Sequence, residues 1–207
     1  MHNRLEENIY PFLESVRLQD GVLRNLEYHQ DRFERTRREV LRCWDHPLLS
    51  EFIHVPGKNT EGIFKCRVHY GKEIGKIEIE SYSRKTIRTL KLVFSDSISY
   101  GYKYLDRGEL ERLYDMRGGC DDILVVKNGM ITDSFYANVA LWDGRTWYTP
   151  NAPLLPGTMR ARLLQKGTLR ERSIRTGDLS LFTRIRLVNA LNSLEEANDI
   201  PVEAIVF

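Results

Sequence analysis

Lys103 lies in Tyr-Gly-Tyr-Lys-Tyr-Leu-Asp-Arg, residues 100–107, near the middle of a 207-residue chain. Thirty positions later a strand pair ends in Ile131-Thr132-Asp133, and Gly157-Thr158 then stands where a helix begins. A lysine supplies an amine that condenses with an aldehyde. An acid at a strand end keeps a ring nitrogen protonated, and a helix start presents backbone amides to a phosphate. Amine, acid and amides are what pyridoxal 5'-phosphate needs from a protein, and the trio points to an enzyme. Each residue also has a plain reading: an exposed lysine at a domain junction, a turn-end aspartate bonded to its own backbone, an ordinary helix start.

Residues 9–18 read as a strand, Asp20-Gly21 as a hairpin turn and Val22 to Leu26 as the return strand. A helix follows from about Tyr28 to Trp44, with Phe33, Val40, Leu41 and Trp44 spaced for one face; His46-Pro47 closes it. Gly62 to Tyr70, Lys76 to Tyr82 and Thr89 to Phe94 alternate apolar and polar residues and predict an antiparallel meander. The pattern lapses over Ser95 to Gly101, which places a boundary between an α+β domain over 1–95 and a mixed-sheet domain over 96–207 carrying Lys103. In the second half a helix near Asp106 to Arg117 precedes strands at Asp122 to Lys127 and Met130 to Asp133, joined by an Asn128-Gly129 turn. Val139 to Trp142 and Thr146 to Thr149 repeat the hairpin, and a helix runs from Gly157-Thr158 to about Gln165. Strands near Leu169 to Ile174 and Arg184 to Leu191 complete the sheet.

Four motifs, spread from about residue 9 to residue 191, resemble those of the class IV aminotransferases, which include branched-chain and D-amino-acid aminotransferases and aminodeoxychorismate lyase. Leu13-Glu14-Ser15-Val16-Arg17 with Asp20-Gly21 resembles the family's Phe-Glu-Thr-hydrophobic-Arg strand and turn. His29-Gln30-Asp31-Arg32-Phe33 resembles its His-x-x-Arg-Leu, and Leu155-Pro156-Gly157-Thr158-Met159-Arg160 its Leu-Pro-Gly-hydrophobic-Thr-Arg. Lys103-Tyr-Leu-Asp-Arg107 resembles the Lys-His-Leu-Asn-Arg of the lyase branch. The resemblance implies an α+β, two-domain fold like that of D-amino-acid aminotransferase, with the cofactor cleft between the domains. Lys103 would bond the cofactor aldehyde and then carry the substrate α-proton. Asp133, one methylene shorter than the family's glutamate, would pair with the pyridinium nitrogen. Arg32, the amides of Thr158 and Met159, the Thr158 hydroxyl and Asn189 would hold the phosphate. Arg107 and Tyr102 stand near the lysine as candidates for the cofactor hydroxyl or a substrate carboxylate, or as junction packing. Where relatives place a carboxylate-gripping arginine before a glycine, this chain has Tyr70 before Gly71; His69, Arg67 or Arg17 are the possible substitutes, and strand alternation keeps them from all facing one way. Relatives carry an Asp-Arg-Gly and a Tyr-Gly-Asp-Gly turn before the first strand; this chain is expected to be a short member without that part of the pocket wall.

The resemblance thus implies a pyridoxal-phosphate enzyme, either releasing pyruvate and 4-aminobenzoate from aminodeoxychorismate or moving an amino group between an amino acid and a 2-oxo acid. A non-catalytic cofactor-binding homologue is the alternative from another class. A homodimer acting on a small amino substrate is also implied. The net charge of +2 argues against a nucleic-acid partner, and Arg32, Arg35, Arg37, Arg38 and Arg42, interleaved with Glu34 and Glu39, read as an exposed helix face with i,i+4 pairing. Three widely spaced cysteines give no metal-ligand spacing and suit a reducing cytoplasm. No segment has the ~20 apolar residues of a membrane span, and Met1 to Asn8 hold no apolar export signal.

Overall fold

Alternating residues in Phe-Leu-Glu-Ser-Val-Arg-Leu-Gln build β1 (Phe12–Gln19), which turns through Asp20 and Gly21, both at positive φ, into β2 (Val22–Arg24). A computed structural model of the chain describes residues 9–55, 57 and 61–207; the leading segment 1–8, read above as free of an export signal, lies outside them. β3 (Ile63–Tyr70) and β4 (Ile74–Ser81) complete an antiparallel sheet in the order β2-β1-β3-β4. Phe12, Glu14, Val16 and Leu18 share one face of β1, opposite Tyr70, Val68, Cys66 and Phe64 of β3. Helix α1 (Leu26–Glu39) lays Phe33 on that face, where Phe12, Val16, Cys66, Val68 and Tyr70 form the core. Each large apolar side chain so buried contributes roughly 1.5–3 kcal/mol.

Helix α1 ends earlier than expected. Arg42 takes a left-handed φ of 57°, and the Cys43 amide reaches back to the Arg37 carbonyl at 3.0 Å, closing the helix six residues behind. Val40 and Trp44, read as part of its apolar face, are therefore exposed. One short turn, α2 (Leu49–Phe52), follows.

The strand expected to finish the meander does not join this sheet. β5 (Leu90–Phe94) pairs in parallel with β6 (Asp122–Lys127) and with the C-terminal β13 (Ile205–Val206). Its Leu90, Leu92 and Val93 are all buried, as in a strand covered on both faces. Asn128-Gly129, both at positive φ, turns β6 into β7 (Met130–Ser134). β8 (Asn138–Trp142), β9 (Trp147–Pro150) and β10 (Leu169–Arg172) extend the sheet in the order β10-β9-β8-β7-β6-β5-β13. β11 (Arg184–Val188) pairs with β8 and with the short β12 (Ile200–Pro201). Helices α3 (Gly108–Asp115) and α4 (Thr158–Gln165) stand where the sequence puts them.

The chain divides into two compact units, Met1–Arg84 with Tyr102–Asp106, and Lys85–Gly101 with Arg107–Phe207. The break thus comes before β5 and not within residues 95–101, and the segment holding Lys103 returns to the first unit. The fold is α+β throughout. Among the described residues no helix is long and apolar enough to cross a membrane.

Candidate active site

In the first unit the main chain around Lys103 is bonded to the start of β1. The Leu13 amide donates to the Lys103 carbonyl at 3.0 Å and the Leu105 amide to the Pro11 carbonyl at 2.8 Å, with Tyr104 paired to Phe12. Beside Leu13, Glu14 points to the α1 side and is fully buried. Arg32 grips it two-handed, Nε to Oε1 at 2.8 Å and Nη2 to Oε2 at 2.5 Å. His29, one turn earlier on α1, stands with Nδ1 2.6 Å from the same Oε2. Burial pushes the Glu14 carboxyl up, but Arg32 and His29 outweigh it and hold the group down at about 2, so it is an anion that only accepts. Burial, with the nearby Arg32 and Lys103 charges, lowers His29 despite its bond to Glu14; the ring is neutral and donates through Nδ1.

The other expected residues of this unit are not gathered there. Arg17 is only 6% exposed but lies on the opposite sheet face, opposite Arg24 and Lys65. Arg67 shares that face, and His69 there holds Glu78 at 3.0 Å. Tyr70 is a core residue: its ring packs edge-on to Phe33 at 4.8 Å and against Phe12 at 5.6 Å, which leaves it no open side for a substrate. Tyr102 donates to Glu39 at 2.9 Å.

In the second unit one hairpin brings several predicted residues together. Asp133, near the end of β7, is 5% exposed and pairs in register with Asn138, the first residue of β8. Asn138 Nδ2 donates to Asp133 Oδ1 at 2.7 Å and to the Leu155 carbonyl at 2.9 Å; the Leu155 amide donates to Asp133 Oδ2 at 2.9 Å. Gly157 then passes so close to Asn138 that a Cβ there would lie 2.0 Å from Oδ1. Asp133, Asn138 and the Leu-Pro-Gly turn therefore form one clamp that sets the start of α4. That helix has no side-chain cap, so its first amides depend on partners outside the helix. Thr158 is buried at this end, whereas the Met159 side chain is core, packed with Ala140, Leu163 and Val188; only its amide suits the expected role. Asn189, just past β11, donates to the Tyr136 carbonyl at 3.3 Å and so borders the same hairpin. Arg107 lies 4.4 Å from the Tyr136 ring and 4.6 Å from that of Phe135, and donates to the Phe135 carbonyl at 2.5 Å. Its guanidinium holds the hairpin tip.

Burial raises Asp133 from an ordinary 3.8 to about 6, against the lowering by the Leu155 amide and Asn138. Each of its oxygens accepts one of these bonds and keeps a second lone pair. A buried carboxylate whose own hydrogen bonds come from neutral amides is an acceptor for a pyridinium N–H, and the start of α4 is a donor set for a phosphate. Taken unit by unit, the residues present fit pyridoxal phosphate: a buried acid and a set of helix-start amides in the second unit, a lysine and an arginine in the first. Among the described residues no group of three or more His, Cys, Asp or Glu side chains forms a metal site.

Glu14, His29 and Asn138 have no assigned role in the sequence reading, although the first two stand inside quoted motifs. Their sign in the sequence is a charged or polar residue on the apolar face of a strand or helix.

The family model for amino-transferase class IV matches residues 100–197. An uncharacterized protein of Haemophilus influenzae is 37% identical over 188 residues, covering 90% of this chain and all of the relative. The crystal structure of a Haemophilus somnus protein, described as a candidate 4-amino-4-deoxychorismate lyase, is 32% identical with a TM-score of 0.84, covering 89% of this chain and 98% of that one. A hypothetical aminotransferase from Mycobacterium tuberculosis in its PLP-bound form shares the fold at 17% identity and a TM-score of 0.72, over 92% of this chain and 80% of its own. With relatives this similar over nearly their whole lengths, the chain belongs to the class IV aminotransferase family.

Proposed function

We propose that this protein is a pyridoxal-phosphate enzyme that releases pyruvate and 4-aminobenzoate from aminodeoxychorismate. The observation that carries the cofactor assignment is the buried clamp of Asp133, Asn138 and Leu155 at the start of α4. The PLP-bound state of the Mycobacterium tuberculosis neighbour supports it, and the name of the Haemophilus somnus relative together with the Lys103-Tyr-Leu-Asp-Arg107 motif supports the lyase reaction. When bound, pyridoxal phosphate supplies an electron-poor ring that accepts the charge left at the substrate α-carbon.

In this reading Lys103 would hold the cofactor through its aldehyde, and its Nζ would be the base for the substrate α-proton. Asp133 holds the ring nitrogen protonated. Arg32, Thr158, the Met159 amide and Asn189 would be the groups that bind the phosphate. A lyase and an aminotransferase would use these residues in the same roles, so the roles alone do not separate the two reactions. A cytoplasmic homodimer is part of the same proposal.

The test is the visible spectrum of the protein mixed with pyridoxal phosphate, before and after borohydride, beside Lys103→Ala. A band fixed by borohydride to the peptide containing Lys103, and absent from the variant, is expected; no Lys103-dependent band refutes the cofactor assignment. Release of 4-aminobenzoate is the second readout. Consumption of 2-oxo acids without 4-aminobenzoate would identify an aminotransferase, and a fixed band with neither reaction a non-catalytic binder.

A further inference from the structure

We infer that Glu14 is a positioning residue for phosphate recognition: with His29 fixing its carboxylate, it holds the Arg32 guanidinium in the orientation that meets the cofactor phosphate. The inference rests on the assignment of Arg32 to the phosphate made above.

Geometry is the first ground. Two bonds from Nε and Nη2 to the two oxygens of one carboxylate fix a planar guanidinium in position and in plane, where a single bond would leave it to pivot. The edge carrying Nη1 is thereby turned away from Glu14. His29 removes the remaining freedom, because its Nδ1 bonds Oε2 at 2.6 Å and stops the carboxylate from rotating. The three side chains come from β1 and from adjacent turns of α1, and the Thr36 hydroxyl donates to the Arg32 carbonyl at 2.9 Å.

Place is the second ground. Glu14 follows Leu13, whose amide is bonded to the Lys103 carbonyl, and the Lys103 charge reaches His29. The carboxylate that orients the arginine and the residue that bonds the main chain of the lysine are thus neighbours on β1.

Energetics is the third. The other β1 residues on this face, Phe12, Val16 and Leu18, are apolar and buried. A carboxylate taken wholly out of water among them, even with a good partner, stabilises a fold no better than an apolar side chain of the same size. Measured against an apolar residue in the same place, stability gives no reason for Glu14. A phosphate contact does, because an arginine ordered beforehand loses no side-chain freedom when the anion arrives.

The test compares two ligands that differ only in the phosphate. Wild type, Glu14→Gln, His29→Gln and Arg32→Ala are titrated with pyridoxal phosphate and with pyridoxal, followed by absorbance. Glu14→Gln keeps the shape of the site but offers Arg32 one acceptor in place of two. It is expected to weaken pyridoxal phosphate about tenfold, the lower range for lost supporting partners of a ligating side chain, and to leave pyridoxal within about twofold. His29→Gln should fall in the same direction by less, and Arg32→Ala should reduce the preference for the phosphorylated ligand more than Glu14→Gln does. A variant that merely loosened the fold would weaken both ligands alike, and that result, or no change for either, overturns the inference while leaving the cofactor assignment standing. Failure of the wild type to take up either ligand overturns both.

Discussion

Replacing Asp133 by asparagine should change how the stability of the cofactor-free protein depends on pH. Burial raises this carboxyl from 3.8 to about 6. At about 1.4 kcal/mol per pH unit, keeping it ionised in the fold costs about 3 kcal/mol at neutral pH and above. The sign follows from proton binding. The folded state holds the proton more tightly than the unfolded chain, so the penalty is complete above pH 6 and fades as the pH falls from 6 to 3.8. Over the accessible range of roughly pH 4.5 to 7.5, about 2 of those 3 kcal/mol should be gained or lost. Asparagine keeps the shape and one acceptor but leaves one of the two donors, the Leu155 amide or Asn138 Nδ2, without its partner. That loss is independent of pH. The assay is urea unfolding of both proteins across the range, read as the difference between the curves, so that Asp122, also raised to about 6 by burial, cancels. The wild type should lose about 2 kcal/mol relative to the variant as the pH rises. A constant difference, or a wild type that gains on the variant, would refute the account of Asp133 as a carboxylate raised by burial. Saturating pyridoxal phosphate should flatten the slope, because a pyridinium gives the charge its partner.

Gly157→Ala should destabilise the fold by about 1–3 kcal/mol and weaken pyridoxal phosphate, since its methyl would lie 2.0 Å from Asn138 Oδ1 and force open the clamp at α4; an unchanged urea midpoint and unchanged affinity would contradict this. Arg37 is 2% exposed and ties α1 to the β3–β4 turn, bonding both oxygens of Asp45 at 2.7 Å and the carbonyls of Gly71 and Lys72. Arg37→Ala should therefore cost about 3 kcal/mol by thermal or urea unfolding, and Asp45→Asn, at a largely exposed partner, much less. Glu14, held at about 2 against an ordinary 4.5, contributes stability that is complete above pH 4.5 and is lost as the pH falls toward 2, on the order of 3 kcal/mol; Glu14→Gln should flatten that limb of the acid-unfolding curve.

Short-range signals account for what could be read from the sequence. Asn128-Gly129 and Asp20-Gly21 marked turns at positive φ, and the Gly157-Thr158 start of α4 and its end at Gln165 fell in place, because local backbone chemistry decides each of these. Strand partners are a different matter. β5 looked like a third meander strand because Lys91 interrupts its apolar run, yet it lies between β6 and the last strand of the chain, a choice made by residues 32 and 115 positions further on. The end of α1 was missed because no glycine announces it; Arg42 adopts the left-handed conformation instead. In the site, the motifs pointed to Asp133 and to Thr158, but the partners that orient them did not stand out. Asn138 becomes visible only when β8 folds back on β7. Tyr70 shows the converse: its place before a glycine suggested a ligand contact, and packing against Phe33 made it core.

The chain passes between its two units at residues 84–85, 101–102 and 106–107. No single cut can therefore give two complete pieces. A fragment ending at residue 84 would lack the peptide whose main chain pairs with Pro11 and Leu13, and with it Lys103. One ending at residue 95 would in addition take β5 away from both of its neighbours. Split-gene complementation, domain exchange with a relative and expression of an isolated half should all fail at the boundary that composition suggests. The five residues Tyr102–Asp106 behave as a graft of one unit into the chain of the other, and a chimaera of this protein must move them together with residues 9–84.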